Sequence, residues 1–273
     1  MRKGRPIVFL SDYGLEDEFV GICHAVIARI SPASPVIDLT HAIPPQDVLR
    51  GALVLGRSIR YLPIDAVILA VVDPGVGTPR RPVAVETSQG GQLLVGPDNG
   101  LLSLTWAERG GVARAVEITE PKVMLEPVSA TFHGRDIFAP AAAHLADGVS
   151  FSDLGPEVDR ASLVEVHMPA AGVEVGRIDA EVFGVDRFGN VQLSAGVDDL
   201  ERAGLAGAIR LEAVTRGVTR WVRRAATFGD VTEGEFGLIV DSSGRLALVL
   251  NRGSAAEALG LAPGDPLALQ AVQ

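Results

Sequence analysis

The sequence has one cysteine and no long apolar run. Cys23 is the single cysteine in 273 residues, so no disulfide can form within the chain. It lies among apolar residues and is predicted to be a small buried hydrophobe. The apolar run "IVFL" near the start is too short for the core of a signal peptide, and no run approaches membrane-spanning length. We therefore expect a cytoplasmic protein with no membrane partner.

An excess of positive charge is also missing. The formal net charge is −10 at pH 7, whereas sequence-independent binding of nucleic acid requires clustered Lys and Arg. The arginines are dispersed, apart from Arg80-Arg81 and the segment 220–224. A solvent-exposed strand edge explains the second cluster at least as well as an anion site does. We expect no nucleic-acid partner.

Several motifs of metal and cofactor sites are absent. The chain has no His-Glu-x-x-His, no cysteine pair and no closely spaced carboxylate cluster, so the pattern predicts no metal ion. The stretch "GVGTPRR" lacks the Gly-Lys-Ser/Thr of a P-loop, and no Gly-x-Gly-x-x-Gly opens the first predicted helix. A Gly-x-Ser-x-Gly nucleophile elbow is missing too. We expect no cofactor.

What is present is the composition of a folded protein, with 47% hydrophobic and 21% charged residues. In the first half, strand-like runs alternate with helix-like segments, which predicts an α/β domain over residues 1–168. The run "AVILAVV" before Asp73 is typical of a strand covered on both faces of its sheet. After "MPAAGVEVG", short strands and glycine turns predict a smaller antiparallel β-barrel or sandwich domain over residues 176–273.

Polar side chains gather where predicted strands end or a predicted helix begins. Ligands of open α/β sheets usually bind at the carboxyl ends of strands. The side chains at such positions are Asp12, Asp73, Asp98, Asn99, His133, Arg135, Asp136, Asp186 and Asn190. The residues alone thus indicate a ligand site with Asp, Arg and His.

Structural roles explain some of these residues equally well. Asp12 and Asp136 are suited to capping helices, and the segments Asp73-Pro74-Gly75 and "GPDNG" are strong turn formers. The other histidines give no functional signal: His24 and His144 lie in predicted helices, and His41 and His167 near loop ends.

Six stretches of the sequence resemble the signatures of one enzyme family. They are "LSDYGLEDEFVG", "DPGVGTPRR", "GPDNGLL", "TFHGRDIFAPAAAHLA", "VDRFGNVQLS" and "DSSGRLALVLNRGSAAEALGL". They resemble the S-adenosyl-L-methionine (SAM) hydroxide adenosyltransferases, the adenosine-forming SAM hydrolases, which are related to fluorinases and chlorinases. The likeness runs in consistent order from residue 7 to about residue 266. It implies a mixed α/β N-terminal domain and a β C-terminal domain.

The resemblance implies hydrolysis of SAM to adenosine and L-methionine, with water attacking C5′ of the ribose. It implies that Asp73, Arg80 and His133 form the catalytic set, without metal or cofactor. Arg81 is adjacent, and a register shift of one residue would exchange it with Arg80. Asp73 stands where the halogenase relatives carry a tyrosine, which favours water over halide as nucleophile.

The resemblance also implies the substrate contacts and the assembly. Asp12 would accept both ribose hydroxyls, Asp186 would pair with the methionine ammonium, and Asn190 would read an adenine edge. Ser242 would contact the methionine carboxylate, and Arg252 stands where the family uses backbone groups against adenine. The implied assembly is a homotrimer, with substrate between the N domain of one subunit and the C domain of its neighbour.

Two other functions fit the same residues. One is a non-catalytic sensor of SAM or adenosine, which ligand would stabilise without any adenosine being formed. The other is halide-dependent cleavage of SAM, which Asp73 and His133 disfavour.

Overall fold

The computed structural model describes residues 4–272 and contains two compact units, one ending at Val166 and the other beginning at His167. Cys23 is fully buried in the first unit, as predicted. Among the described helices, none has both the length and the apolar character needed to cross a membrane.

The first unit is built on a six-stranded mixed sheet. Its strands are β1 (Ile7–Ser11), β2 (Val36–Thr40), β3 (Val67–Val71), β4 (Pro82–Thr87), β5 (Leu93–Pro97) and β6 (Val112–Glu117). In the sheet their order is β2-β1-β3-β5-β4-β6. Neighbours among β2, β1, β3 and β5 are parallel, whereas β4 is antiparallel to both β5 and β6. The mixed α/β expectation is confirmed.

Helices cover both faces of this sheet, which explains the uninterrupted apolar runs. They are α1 (Phe19–Ile30), α2 (Val48–Ser58), α3 (Ser103–Glu108) and α4 (Ala139–Asp147). Because side chains alternate along a strand, Leu69 and Val71 of β3 join the core with α1 and α4. Ile68 and Ala70 join the opposite core with α2 and α3. The carboxyl end of β3 is therefore held rigidly between two packed layers.

The second unit is a closed barrel. Its strands are β7 (Gly172–Glu174), β8 (Arg177–Val185), β9 (Val191–Gly196), β10 (Arg210–Thr215), β11 (Val218–Arg224), β12 (Phe236–Val240), β13 (Arg245–Leu250) and β14 (Pro266–Ala271). They follow the order β14-β10-β11-β12-β13-β9-β8-β7, and β14 also pairs with β8 to close seven strands into a barrel. The predicted β-barrel is confirmed, although β11 and β12 pair in parallel because residues 225–235 return the chain to the same end.

Short helices and exposed basic residues complete the second unit. Its helices are α5 (Val197–Arg202) and α6 (Ala255–Leu259), and the inward apolar residues of the strands form one core cluster. On β11, Arg220 and Arg223 are exposed while Val222 is buried. The basic segment 220–224 is therefore a solvent-exposed strand, as the sequence interpretation allowed.

Candidate active site

Asp73 lies two residues beyond β3, at the start of a tight loop that leads to β4. The Thr78 hydroxyl donates to the Gly75 carbonyl at 2.6 Å, and the Thr78 amide donates to the same oxygen at 3.1 Å. Gly77 has φ +75°, and a Cβ there would lie 2.7 Å from the Ala130 carbonyl oxygen. The loop therefore needs glycine at this point, and its folding returns Arg80 to Asp73.

Asp73, Arg80 and His133 form one hydrogen-bonded cluster. Arg80 Nε donates to Asp73 Oδ1 at 3.1 Å, and Arg80 Nη2 donates to Asp73 Oδ2. The same Nη2 lies 3.1 Å from His133 Nδ1. The Arg80 and Asp73 side chains are only 7% and 6% exposed. A carboxylate bound at both oxygens orients the guanidinium rather than standing free as a base.

One donor of this cluster has no partner. Arg80 Nη1 is buried and makes no hydrogen bond within residues 4–272. Buried donors are almost always satisfied by protein or water, so this N–H group is a natural position for a bound water or ligand atom. The Phe138 ring, 5.2 Å from the guanidinium carbon, limits the ways in which the arginine can move.

His133 precedes the π-helical turn Gly134–Phe138 that leads into α4. Burial lowers the pKa of His133, and the positive charge of Arg80 lowers it further. The imidazole is therefore neutral at neutral pH. Arginine has donors only, so His133 Nδ1 is the acceptor of their hydrogen bond and the ring proton is on Nε2. At Gly134 a Cβ would lie 2.0 Å from the Tyr13 hydroxyl oxygen, so a larger residue there would displace the Tyr13 ring.

Asp12 follows β1 and faces the segment after β2. Its Oδ2 accepts a hydrogen bond from the Gln46 amide at 2.8 Å, and Gln46 has φ +66°, a conformation that costs free energy for a residue with a side chain. Burial raises the pKa of Asp12. Helix α1 begins at Phe19 with Glu18 as its N-cap, so the alternative that Asp12 caps this helix is wrong.

Asp136 forms hydrogen bonds with residues that precede it in the chain. Its Oδ2 accepts from the Ser129 amide at 2.8 Å and its Oδ1 accepts from Arg135 Nε at 2.6 Å. It lies within the π-helical turn, and the N-cap of α4 is Phe138. The alternative that Asp136 caps a helix is therefore wrong, because its carboxylate holds the segment before His133 instead.

Arg81 has partners that differ entirely from those of Arg80. Arg81 Nε donates to Asp98 Oδ2 at 2.9 Å and Nη1 donates to the Ser162 hydroxyl at 3.1 Å. Asp98 Oδ1 accepts from the Val164 amide at 2.9 Å. This network ties the start of β4 to the last part of the first unit. The structure thus brings Arg80, and not Arg81, to Asp73.

In the "GPDNG" segment, Gly96 and Pro97 end β5 and the chain bends at Asp98 and Asn99, so the turn that the structural alternative supposed covers only its second half. Asn99 Nδ2 donates to the Val72 carbonyl at 2.9 Å, and Asn99 Oδ1 accepts from the Leu101 amide at 3.1 Å. Asn99 therefore supports the backbone directly before Asp73.

In the second unit, Asp186 and Asn190 build a turn between β8 and β9. Asp186 Oδ1 accepts from the Phe188 and Asn190 amides at 2.8 and 3.0 Å, and Oδ2 accepts from Asn190 Nδ2 at 2.8 Å. Gly189 has φ +80°, and its carbonyl accepts from the Ala256 amide at 3.0 Å. The Asp186 carboxylate is thus the organising group of this turn.

Asn190 and Arg252 line one cavity of about 540 Å³, a size suited to a small-molecule ligand. Its lining residues are Phe188, Asn190, Phe228, Leu250, Asn251, Arg252 and Gly253. Arg252 has φ +60°, and its exposed side chain pairs with Glu233 at 3.1 Å. Ser242 is exposed in the turn between β12 and β13 and does not line this cavity.

The sequence interpretation missed Phe188 and Phe228 in this cavity. They are 72% and 49% exposed, and exposed aromatic rings beside a cavity offer flat surfaces for a planar ligand. Their one sequence signal was the rarity of aromatic residues, 5% of the chain, with Phe188 inside a glycine turn. Gln46 was missed too, because its role depends on a backbone conformation.

Comparison with known proteins finds two family models in the order of the two units. The SAM hydroxide adenosyltransferase N-terminal domain matches residues 7–155, and the C-terminal domain matches residues 180–268. The (R)-S-adenosyl-L-methionine hydrolase of Salinispora tropica is 50% identical over 265 residues, covering 97% of each chain. That of Thermus thermophilus is 46% identical over 271 residues, covering 97% of this chain and 99% of the relative.

More distant relatives and a solved structure agree with these matches. A fluorinase of an Actinoplanes species is 28% identical over 275 residues, covering 91% of this chain and 92% of the fluorinase. An uncharacterized conserved protein from Thermotoga maritima, known as a crystal structure, superposes with a TM-score of 0.90 at 36% identity, covering 97% of this chain and all of that one. Family models and relatives together span nearly the whole sequence, and the chain therefore belongs to the SAM hydroxide adenosyltransferase family.

Proposed function

We propose that this protein is an enzyme that hydrolyses SAM to adenosine and L-methionine. The observation that carries the proposal is the buried cluster of Asp73, Arg80 and His133, which leaves Arg80 Nη1 open for a water molecule. Relatives 46% and 50% identical over nearly the full length are named (R)-S-adenosyl-L-methionine hydrolases. Family membership and local chemistry therefore support the same reaction.

The reaction needs a well-placed nucleophile more than an acid. The sulfonium of SAM is already a good leaving group, so methionine departs without protonation. The remaining task is to hold water in line with C5′, and such positioning accounts for several kcal/mol of a barrier, out of a possible total of about 7–11 kcal/mol. Arg80 Nη1 donates to the water oxygen and favours its hydroxide character, and neutral His133 lies beside it. As the O–C5′ bond forms and the C5′–S bond breaks, the proton that the water loses passes to solvent. Asp73, bonded to Arg80 through both oxygens, keeps the guanidinium in place.

Each unit supplies side chains whose charge and hydrogen-bonding groups suit one part of SAM. Asp12, with one oxygen held by the Gln46 amide, accepts hydrogen bonds from the ribose diol. The cavity of the second unit takes adenine, with Asn190 at an edge of the base and the backbone at Arg252 beside it. Asp186 pairs with the methionine ammonium. The methionine carboxylate is assigned to Ser242 by resemblance alone.

The assembly proposed is a homotrimer in the cytoplasm, with each active site shared between the N-terminal unit of one subunit and the C-terminal unit of its neighbour. Resemblance to the family and the division of ligand groups between two units support this. Activity should then fall on dilution as the oligomer dissociates, which sedimentation and rate measurements at matched concentrations would follow. Full activity in a monomer would contradict the assembly.

The direct test of function is chromatography of products from purified protein and SAM in halide-poor buffer. We expect adenosine and methionine in equal amounts, in proportion to enzyme, and their loss in His133→Ala. Stabilisation by SAM without product would instead identify a sensor. Formation of halogenated nucleoside on adding fluoride or chloride would identify a halide-dependent enzyme.

A further inference from the structure

Two histidines and an aspartate meet at the edge of the first unit's sheet. His24 lies on α1, Asp38 on the edge strand β2, and His41 directly after β2. Asp38 Oδ1 lies 2.8 Å from His24 Nε2 and 3.0 Å from His41 Nε2. One ligand-type atom of each side chain lies within 4.8 Å of the other two. The Asp73 cluster and its proposed reaction use none of these three residues.

Hydrogen bonding within the cluster leaves one buried atom unsatisfied. His24 Nε2 bonds to Asp38 Oδ1. His41 Nε2 lies 3.0 Å from the same oxygen as an ion-pair contact, but this buried nitrogen makes no hydrogen bond within residues 4–272. The His41 side chain is only 2% exposed. An unsatisfied buried imidazole nitrogen that faces a carboxylate and a second imidazole calls for another ligand.

The other nitrogen of His41 is fixed in the way typical of metal-binding histidines. His41 Nδ1 lies 2.7 Å from the Ser11 hydroxyl, and the Phe9 ring packs at 4.6 Å from the imidazole. When Nδ1–H donates to Ser11, Nε2 presents its lone pair to the cluster. Metal-ligating histidines commonly donate their second ring N–H to a neighbour in this manner, which fixes tautomer and ring orientation.

The donor set and spacing suit a zinc-like ion. Zinc binds His nitrogen and Asp oxygen at about 2.0–2.2 Å, which in a tetrahedron places ligand atoms about 3.3–3.5 Å apart. The contacts of 2.8 and 3.0 Å would then open by about 0.3–0.7 Å. The side chains of His24 and Asp38 are 36% and 42% exposed, so an ion can enter from solvent and keep water as its fourth ligand.

We propose that His24, Asp38 and His41 bind a divalent transition-metal ion of the zinc type. The ion would join α1 to the edge strand β2. The His41 carbonyl also accepts from the Gly14 amide at 2.8 Å, so His41 connects the proposed metal site to the segment after β1. Without the ion, α1 and β2 are held at this edge by packing and by the His24–Asp38 hydrogen bond.

The test is calorimetric titration of the untagged, chelator-treated protein with zinc chloride, together with Co²⁺ as a spectroscopic probe. We expect one ion per chain and a tetrahedral Co²⁺ absorption spectrum. His24→Gln at a partly exposed position and Asp38→Asn at an exposed one should each weaken binding by at least about tenfold. His167→Gln, which alters an exposed histidine outside the cluster, is the matched control and should bind like the wild type.

Thermal unfolding supplies a second readout. Zinc should raise the Tm of the wild type and of His167→Gln, because a ligand that binds the folded state stabilises it by mass action. It should raise the Tm of His24→Gln much less. Absence of saturable binding, or unchanged affinity in both His24→Gln and Asp38→Asn, would overturn the site. The outcome does not depend on whether SAM is the substrate.

Discussion

The ligand groups of the two units differ in how they are held. In the first unit, Asp73 and Arg80 are almost fully buried and bonded to each other through both carboxylate oxygens. In the second unit, Asp186 is bonded to its own turn, and the nearby cavity is lined by exposed Phe188 and Phe228. The first arrangement is rigid and charged, whereas the second is open and partly aromatic.

This difference matches the division of labour that we propose. Groups that act on a reacting atom must be held in place before the substrate arrives, and a strand end between two packed layers provides this. Groups that recognise a large substrate gain from an accessible cavity with flat apolar surfaces. Substitutions in the Asp73, Arg80 and His133 cluster should therefore reduce kcat, whereas those at the Asp186 turn and the cavity of the second unit should raise KM.

The largest expected effect comes from Asp73→Ala. Turnover should fall at least about 1,000-fold, because Arg80 would lose the partner that orients its donors. SAM binding should remain measurable by calorimetry, since the proposed substrate contacts lie elsewhere. Removing one member of a buried ion pair costs about 3–5 kcal/mol of stability, so folding should be checked by circular dichroism.

Arg80→Lys is the companion variant for the case in which Asp73→Ala does not fold. Lysine keeps the positive charge but cannot bond both carboxylate oxygens and His133 together, so kcat should again fall steeply in a folded protein. Full activity in either folded variant would remove this cluster from the mechanism.

In the second unit, Asp186→Asn should change binding and spare chemistry. The side-chain oxygen of asparagine can still accept from the Phe188 and Asn190 backbone amides, so the turn should persist while the negative charge and the acceptor for Asn190 Nδ2 are lost. Loss of a charged hydrogen bond is worth about 1.5–3 kcal/mol, which corresponds to a KM for SAM raised about 10- to 150-fold. A reduced kcat with unchanged KM would contradict the proposal that Asp186 acts in substrate binding.

The pH dependence of kcat should report on His133. Because burial and Arg80 lower its pKa from the ordinary value, the residue is mostly neutral at neutral pH, and kcat should reach a plateau as pH rises. At lower pH, protonation removes the acceptor for Arg80 and places two positive charges together, so kcat should decline with a one-proton slope. Asp12→Asn should keep this decline, since Asp12 acts on binding. A kcat that rises on acidification would contradict the role of His133.

The free energy of unfolding should also decrease as pH falls. The folded protein disfavours the charged imidazole, while the unfolded chain accepts a proton near the ordinary value of 6.5. The stabilisation is therefore fully present above pH 6.5 and is lost as pH falls through the lowered pKa. Urea unfolding of wild type and His133→Gln at several pH values would isolate this contribution.

Much of the fold was predictable because burial leaves a direct trace in sequence. The uninterrupted run before Asp73 predicted a strand covered on both faces, and β3 is buried throughout. Glycine turns and short alternating strands predicted the barrel. The parallel pairing of β11 and β12 was not predictable, since residues 225–235 carry no pattern that fixes the direction in which the chain returns.

The site was predictable as a set of strand-end residues, but not in its connections. Neighbouring arginines in an irregular loop give no periodicity, so the sequence could not separate Arg80 from Arg81. Likewise, His41 looked like an ordinary loop residue, because its burial results from packing against Phe9 and from the Ser11 contact. Such contacts depend on tertiary structure and leave no local signature.

The smallest effect on activity should come from Arg81→Ala, the neighbour of the most sensitive arginine. Arg81 bonds to Asp98 and Ser162, and within the described residues its side chain makes no hydrogen bond to Asp73 or His133. Asp98 is 3% exposed in its side chain, so loss of its partner should cost about 1–3 kcal/mol of stability. At temperatures where the variant stays folded, kcat and KM should remain close to those of the wild type.

Comparison of Arg81→Ala with Arg80→Ala therefore separates stability from chemistry at adjacent positions. Each variant needs urea unfolding and steady-state kinetics on the same preparation. We expect Arg81→Ala to shift the unfolding midpoint while sparing kcat, and Arg80→Ala to lose kcat at every temperature at which it is folded. If Arg81→Ala loses turnover while folded, the rigid charged site extends to Asp98, whose neighbour Asn99 donates to the Val72 carbonyl directly before Asp73.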